Sequence, residues 1–195
     1  MSRLSIQDIA RAAHVDRWQI IRTLRQQNIA EHQYMVTMIA LEIAERVITN
    51  NDFTPDNRII LMDWCLRHDL PEVYMGDICT PVKLRIKAAC DEDIFSKIEE
   101  EICDICHQSR LRVTGTVYEG ITKLADLIDG IRFLTTEGSG KHAEFALNKI
   151  KGMYKERLYH LSKEYTKYRW TEVSKILTTM LYDECGFIGF EGPIK

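Results

Sequence analysis

Residues 29–49 read IAEHQYMVTMIALEIAERVIT, and His32, Val36, Ile39, Ile43 and Val47 recur in it at spacings of three and four. That period puts them on one face of an α-helix; a strand would alternate every second residue. The stretch therefore predicts a long helix with His32 at the head of its inward stripe. The same spacing continues along the rest of the chain, and no alternating run is paired with a hairpin turn. The expected fold class is all-α.

Working outward, Ser5 and Asp8 form a capping box for a short helix near 6–13, and a second short helix is expected near 19–27, after Arg17 and Trp18. On the other side, Thr54, Pro55 and Asp56 supply an N-cap, an N1 proline and a first-turn acid. They open a helix through Ile60, Trp64 and His68 that should end near Asp69, because Pro71 disfavours helical dihedrals at Leu70. Gly76 to Pro81 is turn-rich and reads as an active-site loop, followed by a helix over about 91–107. The segment 116–136 is apolar nearly all round, which marks a central helix. Gly138-Ser139-Gly140 breaks the chain before two closing helices, about 141–166 and 170–183.

With 195 residues, 45% of them hydrophobic, the chain can bury one sizeable core, so a single domain over 1–195 is expected. The formal net charge of -3 gives no global attraction to nucleic acid or to an anionic membrane. No apolar run approaches the roughly 20 residues needed to span a bilayer, and no apolar secretory stretch opens the chain. A cytoplasmic protein with no membrane partner is expected. The six cysteines sit mostly within apolar helical patterns and are expected to stay reduced. Cys103, Cys106 and His107 lack a second ligand pair at finger-like spacing, so packing is the reading for them.

Four potential metal ligands fall where helices should face inward: His32, the adjacent pair His68-Asp69, and Asp126. Asp126 is flanked by Leu124, Ala125, Leu127 and Ile128, and a carboxylate buried in such company costs several kcal/mol unless a partner compensates it. Two imidazoles and two carboxylates suit a divalent transition metal (Zn, Co, Mn or Fe) better than calcium. They also leave coordination positions open for water and a phosphate oxygen.

Taken in order, Arg17-Trp18, Glu31-His32, Arg67-His68-Asp69 with Glu72, Gly76-Asp77, Thr80-Pro81-Val82-Lys83 and Lys123-Leu124-Ala125-Asp126 closely resemble the YfbR-type HD-domain 5′-deoxynucleotidases. The resemblance covers about residues 10–135. It implies one HD-type helical bundle in which His32, His68, Asp69 and Asp126 bind the metal between helices. It also implies that Glu72 and Asp77 handle the attacking water and its proton, while Arg17, Lys83 and Lys123 hold phosphate. Trp18 would pack against the sugar and exclude a 2′-hydroxyl, and Gln19 and Ile20 would line the base pocket. In Arg17 to Ile20 the chain also looks like phage dATP triphosphohydrolases (DatZ). The charges of Arg22, Arg85 and Lys87, and an Asp69-to-Asp126 spacing shorter than in the bacterial monophosphatases, favour a triphosphate substrate. A deoxynucleotide is thus the expected partner, a stable nucleic-acid partner is not, and the family resemblance implies a homo-oligomer.

Two other classes compete. Ser5 to Val15 resembles the opening of a repressor-type helix-turn-helix, with Arg17 to Gln26 as a recognition helix. His14 at the turn and bulky Trp18 on the reading face weaken that, as does the absence of a linker before the His32 helix. A metal-holding scaffold without catalysis is the other alternative.

Overall fold

The computed structural model describes residues 5–49, 51–90, 94–102 and 104–182, among which there are helices and no strand. In chain order these are α1 (Ile6–Ala10), a 3-10 turn (Arg11–His14), α2 (Ile29–Val47), α3 (Pro55–Cys65) and α4 (Glu72–Met75). They continue with α5 (Thr80–Ala89), α6 (Ile94–Ile102), α7 (Asp104–Val113), α8 (Val117–Glu137), α9 (Lys141–Glu164) and α10 (Thr171–Tyr182). The all-α expectation holds.

Local chemistry explains the starts. The Ser5–Asp8 capping box is formed in full, and the side chains of Asn28, Thr54 and Thr116 accept from backbone N–H groups of α2, α3 and α8. α8 runs through the middle, with α2 on one side and α9 on the other, and α10 closes against α2. Val36, Ile43, Leu61, Ile121, Leu124, Ile128 and Ile131 are fully buried in the core these helices share. Each such side chain stabilises the fold by about 1.5–3 kcal/mol.

Five expectations change. Residues 19–27 form no helix. Trp18 sits in the left-handed region at φ 63°, which a right-handed helix cannot continue, and the backbone bonds elsewhere. Arg17 N–H donates to the Gln27 carbonyl at 2.8 Å, Ile29 N–H to Val15, and Leu24 N–H to Glu137 at 2.8 Å. Isolated antiparallel bridges join Asp16 to Asn28 and Thr23 to Gly138. Without a helix at 17–26, the DNA-reading head loses its recognition element.

The second change is that α3 ends at Cys65, and irregular turns carry His68 and Asp69 just beyond it. Third, the loop after Gly76 is shorter than expected because Thr80-Pro81 opens α5, with the proline in its first turn. Fourth, the single helix expected over 91–107 is two, α6 and α7, the second reaching Val113. Cys65, Cys79 and Cys90 are free thiols, whereas Cys106 is disulfide-bonded, against the expectation of reduced cysteines. Cys103 and Cys185 lie outside the described residues.

Candidate metal centre

His32 comes from the first turn of α2, Asp126 from the middle of α8, and His68-Asp69 from the turn that follows α3. Packing brings them together. His32 Nε2 lies 3.3 Å from Asp69 Oδ2 and 3.3 Å from Asp126 Oδ1, and His68 Nε2 lies 3.5 Å from Asp69 Oδ2. One ligand atom each from His32, His68 and Asp69 falls within 4.8 Å of the others.

The ring nitrogens on the far sides decide what these groups can do. His68 Nδ1 is 2.8 Å from the Cys65 carbonyl, which only accepts, so Nδ1 carries the hydrogen and Nε2 is left with its lone pair. His32 Nδ1 is 2.7 Å from Asp129 Oδ2, a carboxylate oxygen, with the same consequence. Both Nε2 atoms are buried and have no hydrogen-bond partner. Two unpaired imidazole nitrogens aimed at carboxylates are what a metal needs: neutral ligands whose tautomer is held from behind. The chemistry of the donors fits a divalent transition metal.

Electrostatics points the same way. Burial and Arg17 both oppose a charge on His32, yet Asp126, Asp129 and Asp69 outweigh them and push its pKa up to about 10. The three carboxylates thus favour positive charge beside this ring, which a metal cation would supply. Burial opposes the charges of Asp69 and Asp126 as well, but their histidine, arginine and lysine neighbours hold both below the ordinary carboxylate range.

Asp129 was not among the residues singled out from the sequence. It is fully buried and accepts from His32, from Gln27 Nε2 at 2.8 Å and from Arg132 at 2.9 Å. It lies three residues beyond Asp126, so the two share a helix face; that spacing is the signal from which it could have been found.

Beside the ligands opens a cavity of about 400 Å³, lined by Arg17, Trp18, Gln19, Ile20, Asp77 and Asp126 among others. The Arg17 guanidinium stands 3.7 Å from Asp126 Oδ1, and its Nη1 is buried without a hydrogen-bond partner. Burial works against its charge, but Asp126, Asp69, Asp77 and Glu72 outweigh that and raise its pKa. Trp18 stacks on Phe133 with ring centroids 6.1 Å apart, and its indole N–H donates to Gln27.

Glu72 is buried at the start of α4, and Lys83 donates to its Oε1 at 2.8 Å while Oε2 has no partner. Burial and then Asp69 push Glu72 up to about 8, against the pull of Lys83. Lys83 is thus engaged with Glu72, and Lys123 is exposed; neither lines the cavity. Arg22, Arg85 and Lys87 are also exposed and away from its wall. The cavity wall also carries Lys149, a cation, and His142 of α9, which the sequence reading left as generic helix.

A family model for YfbR-like 5′-deoxynucleotidases matches residues 6–129. The dATP triphosphohydrolase of Acinetobacter phage SH-Ab 15497 is 28% identical, over 93% of this chain and 93% of its own. That of Salmonella phage PMBT28 is also 28% identical, over 90% and 91%. The 5′-deoxynucleotidase of Vibrio atlanticus (strain LGP32) is 30% identical over 69% of this chain and 75% of its own. Among solved structures, the Cyanophage S-2L HD phosphohydrolase DatZ, bound to dA and one catalytic Zn2+ ion, shares the fold. Its TM-score is 0.71 over 92% of this chain and 99% of that one, at 22% identity. The family model spans well over half of the sequence, so the chain belongs to the YfbR-like 5′-deoxynucleotidase family and is a phosphohydrolase with the fold of an HD phosphohydrolase.

Proposed function

We propose that the chain hydrolyses 2′-deoxynucleoside 5′-triphosphates, dATP foremost, releasing the deoxynucleoside and triphosphate. The observation that carries this is the pair of bare, buried imidazole nitrogens beside Asp69 and Asp126, at the edge of a cavity of nucleotide size. End-to-end similarity to two phage dATP triphosphohydrolases supports the triphosphate, as do Lys149 and His142 on the cavity wall.

His32, His68, Asp69 and Asp126 would hold the metal, of the zinc, cobalt or manganese kind. Such an ion supplies Lewis acidity that makes water acidic near neutral pH and neutralises phosphate charge. Arg17, which lines the cavity, would offer its guanidinium N–H groups to a phosphate oxygen and stabilise the charge that develops on phosphorus. Lys83 holds one oxygen of Glu72 and leaves Oε2 open to take or give a proton. Glu72 and Asp77 manage the proton that leaves the attacking water and the one that O5′ takes as its bond to phosphorus breaks. Lys83 and Lys123 add positive potential without forming the cavity wall. The Trp18 indole, fixed by Gln27 and Phe133, lies along the deoxyribose and excludes a 2′-hydroxyl, and Ile20 with Gln19 faces the base.

The working unit is taken as the whole chain, one HD domain in a cytoplasmic homo-oligomer. Exposed Tyr159 on α9 supports a subunit contact. The family model and the 30% identical Vibrio relative favour a second reading, a 5′-deoxynucleotidase acting on monophosphates.

The test is incubation with Co2+ or Mn2+ and, separately, dATP, dGTP, dAMP and their ribose counterparts, resolving nucleoside, phosphate and triphosphate. Triphosphate released from deoxy substrates alone is the expected result. Phosphate from deoxymonophosphates alone moves the assignment to the 5′-nucleotidase. No turnover with metal bound refutes both and leaves the scaffold.

A further inference from the structure

Three hydrogen bonds in series connect the cavity to the candidate metal centre. Trp18 Nε1 donates to Gln27 Oε1 at 2.8 Å, Gln27 Nε2 donates to Asp129 Oδ2 at 2.8 Å, and the same oxygen accepts from His32 Nδ1 at 2.7 Å. The directions are forced. An indole N–H can only donate, so the Gln27 amide presents its oxygen to Trp18 and its nitrogen to Asp129; an ionised carboxylate can only accept, so His32 Nδ1 carries the hydrogen.

Gln27 is fully buried, and its backbone carbonyl accepts from Arg17 N–H at 2.8 Å, which ties the two limbs of the loop together. Both ends of its side chain are satisfied: losing the first bond leaves the indole N–H without its acceptor, and losing the second leaves Asp129 Oδ2 to His32 alone. No second buried side chain joins the indole to Asp129 among the described hydrogen bonds.

We propose that Gln27 is a positioning residue that couples the Trp18 indole to the ring orientation of His32, so that sugar selectivity and metal affinity are set together. This rests on the site reading given above, with His32 as a ligand and Trp18 beside the sugar. A 2′-hydroxyl that pushes the indole aside drags the Gln27 amide off Asp129, and His32 loses part of the support that fixes its tautomer. A ribonucleotide is then rejected twice, by contact with the ring and by a loosened ligand. Arg132 holds only the other oxygen, Oδ1, so once Gln27 has gone the carboxylate can turn about that anchor and carry Oδ2 away from His32.

The experiment follows Co2+ binding, by its visible absorption, in the full-length protein and its Gln27→Leu, Trp18→Phe and doubly substituted forms, with thermal melts as a control on folding. The dATP to ATP ratio of kcat/KM is measured beside it. Gln27→Leu is expected to weaken Co2+ about tenfold and to shift its absorption band. It should also narrow the dATP to ATP ratio although Trp18 is retained. Trp18→Phe touches no ligand, yet it should weaken Co2+ about threefold in the native background and not at all once Gln27 is leucine.

Native Co2+ affinity in Gln27→Leu, or an equal Trp18→Phe effect in both backgrounds, overturns the coupling. If Gln27→Leu does not fold, Trp18→Phe decides alone, and unchanged Co2+ binding there overturns it. A wild-type protein that binds Co2+ but hydrolyses no deoxynucleotide refutes the functional reading and leaves the Co2+ measurements to judge the coupling. One that binds no Co2+ refutes both.

Discussion

Replacing Asp129 by asparagine changes one buried oxygen into an NH2 group, and the surroundings offer that group no acceptor. Asp129 Oδ2 accepts from His32 Nδ1 and Gln27 Nε2, and Oδ1 accepts from Arg132 Nε and Nη2. Whichever way the new amide turns, it sets N–H against N–H. One side must be given up, and a buried hydrogen bond to a charged group is worth about 1.5–3 kcal/mol. Asp129 is fully buried, so solvent offers little relief, and a loss of about 3 kcal/mol is expected. For a chain of this size that lowers the melting temperature by about 6–12 °C.

The second consequence of the same substitution is chemical. Facing an amide nitrogen, His32 turns to its other tautomer or loses its orientation, and metal affinity should fall about 10–100-fold. Thermal denaturation with chelator measures the first effect, and calorimetric titration with Zn2+ measures the second. A lower melting temperature with native Zn2+ affinity would show that Asp129 only braces the core; no change in either would refute the hydrogen-bond assignment itself.

Asp126→Asn should lose metal and turnover while circular dichroism stays native; full activity with unchanged metal content overturns the site. Glu72 carries a folded pKa of about 8 against an ordinary 4.5, so metal-free protein gains a proton there on folding. Its contribution to stability is full below pH 4.5 and is lost as pH rises through 8, with a slope of at most about 1.4 kcal/mol per pH unit. Glu72→Gln should therefore flatten the dependence of urea stability on pH between 5 and 8 in chelator, and a profile matching wild type contradicts the burial argument. At Gly130 an added methyl would meet Trp18 at 3.5 Å and Ile150 at 3.6 Å, ordinary contact distances. Gly130→Ala should stabilise α8 by about 1 kcal/mol while raising KM by narrowing the cavity. A lowered melting temperature counts against that.

His32 and Asp126 are legible in the sequence because helical period alone turns them inward, and His68-Asp69 because two ligand types stand together ahead of a proline. The ends of α3 and the split into α6 and α7 are set by local turns, where periodicity carries little information. The loop from Val15 to Asn28 is illegible for a different reason: its outer end bonds to Glu137 and Ser139, more than a hundred positions away, and a tryptophan at positive φ has no sequence signal. Gln27 follows no pattern at all. Lys83 is chemically a good phosphate ligand, and only the packing of α5 beside α4 shows that Glu72 has claimed it.

The loop that carries Arg17 and Trp18 is also fastened at its outer end. Leu24 N–H bonds to the Glu137 carbonyl, Ser139 N–H bonds to the Arg22 carbonyl, and Arg25 reaches the Glu137 carboxylate at 3.1 Å. If Trp18 selects the nucleotide as proposed, the short joint between α8 and α9 acts on that choice from a distance. A directed-evolution library aimed at new substrates should diversify positions 137–140 together with the loop, since a change of length or backbone angle there moves Trp18 without altering a single residue that touches the ligand.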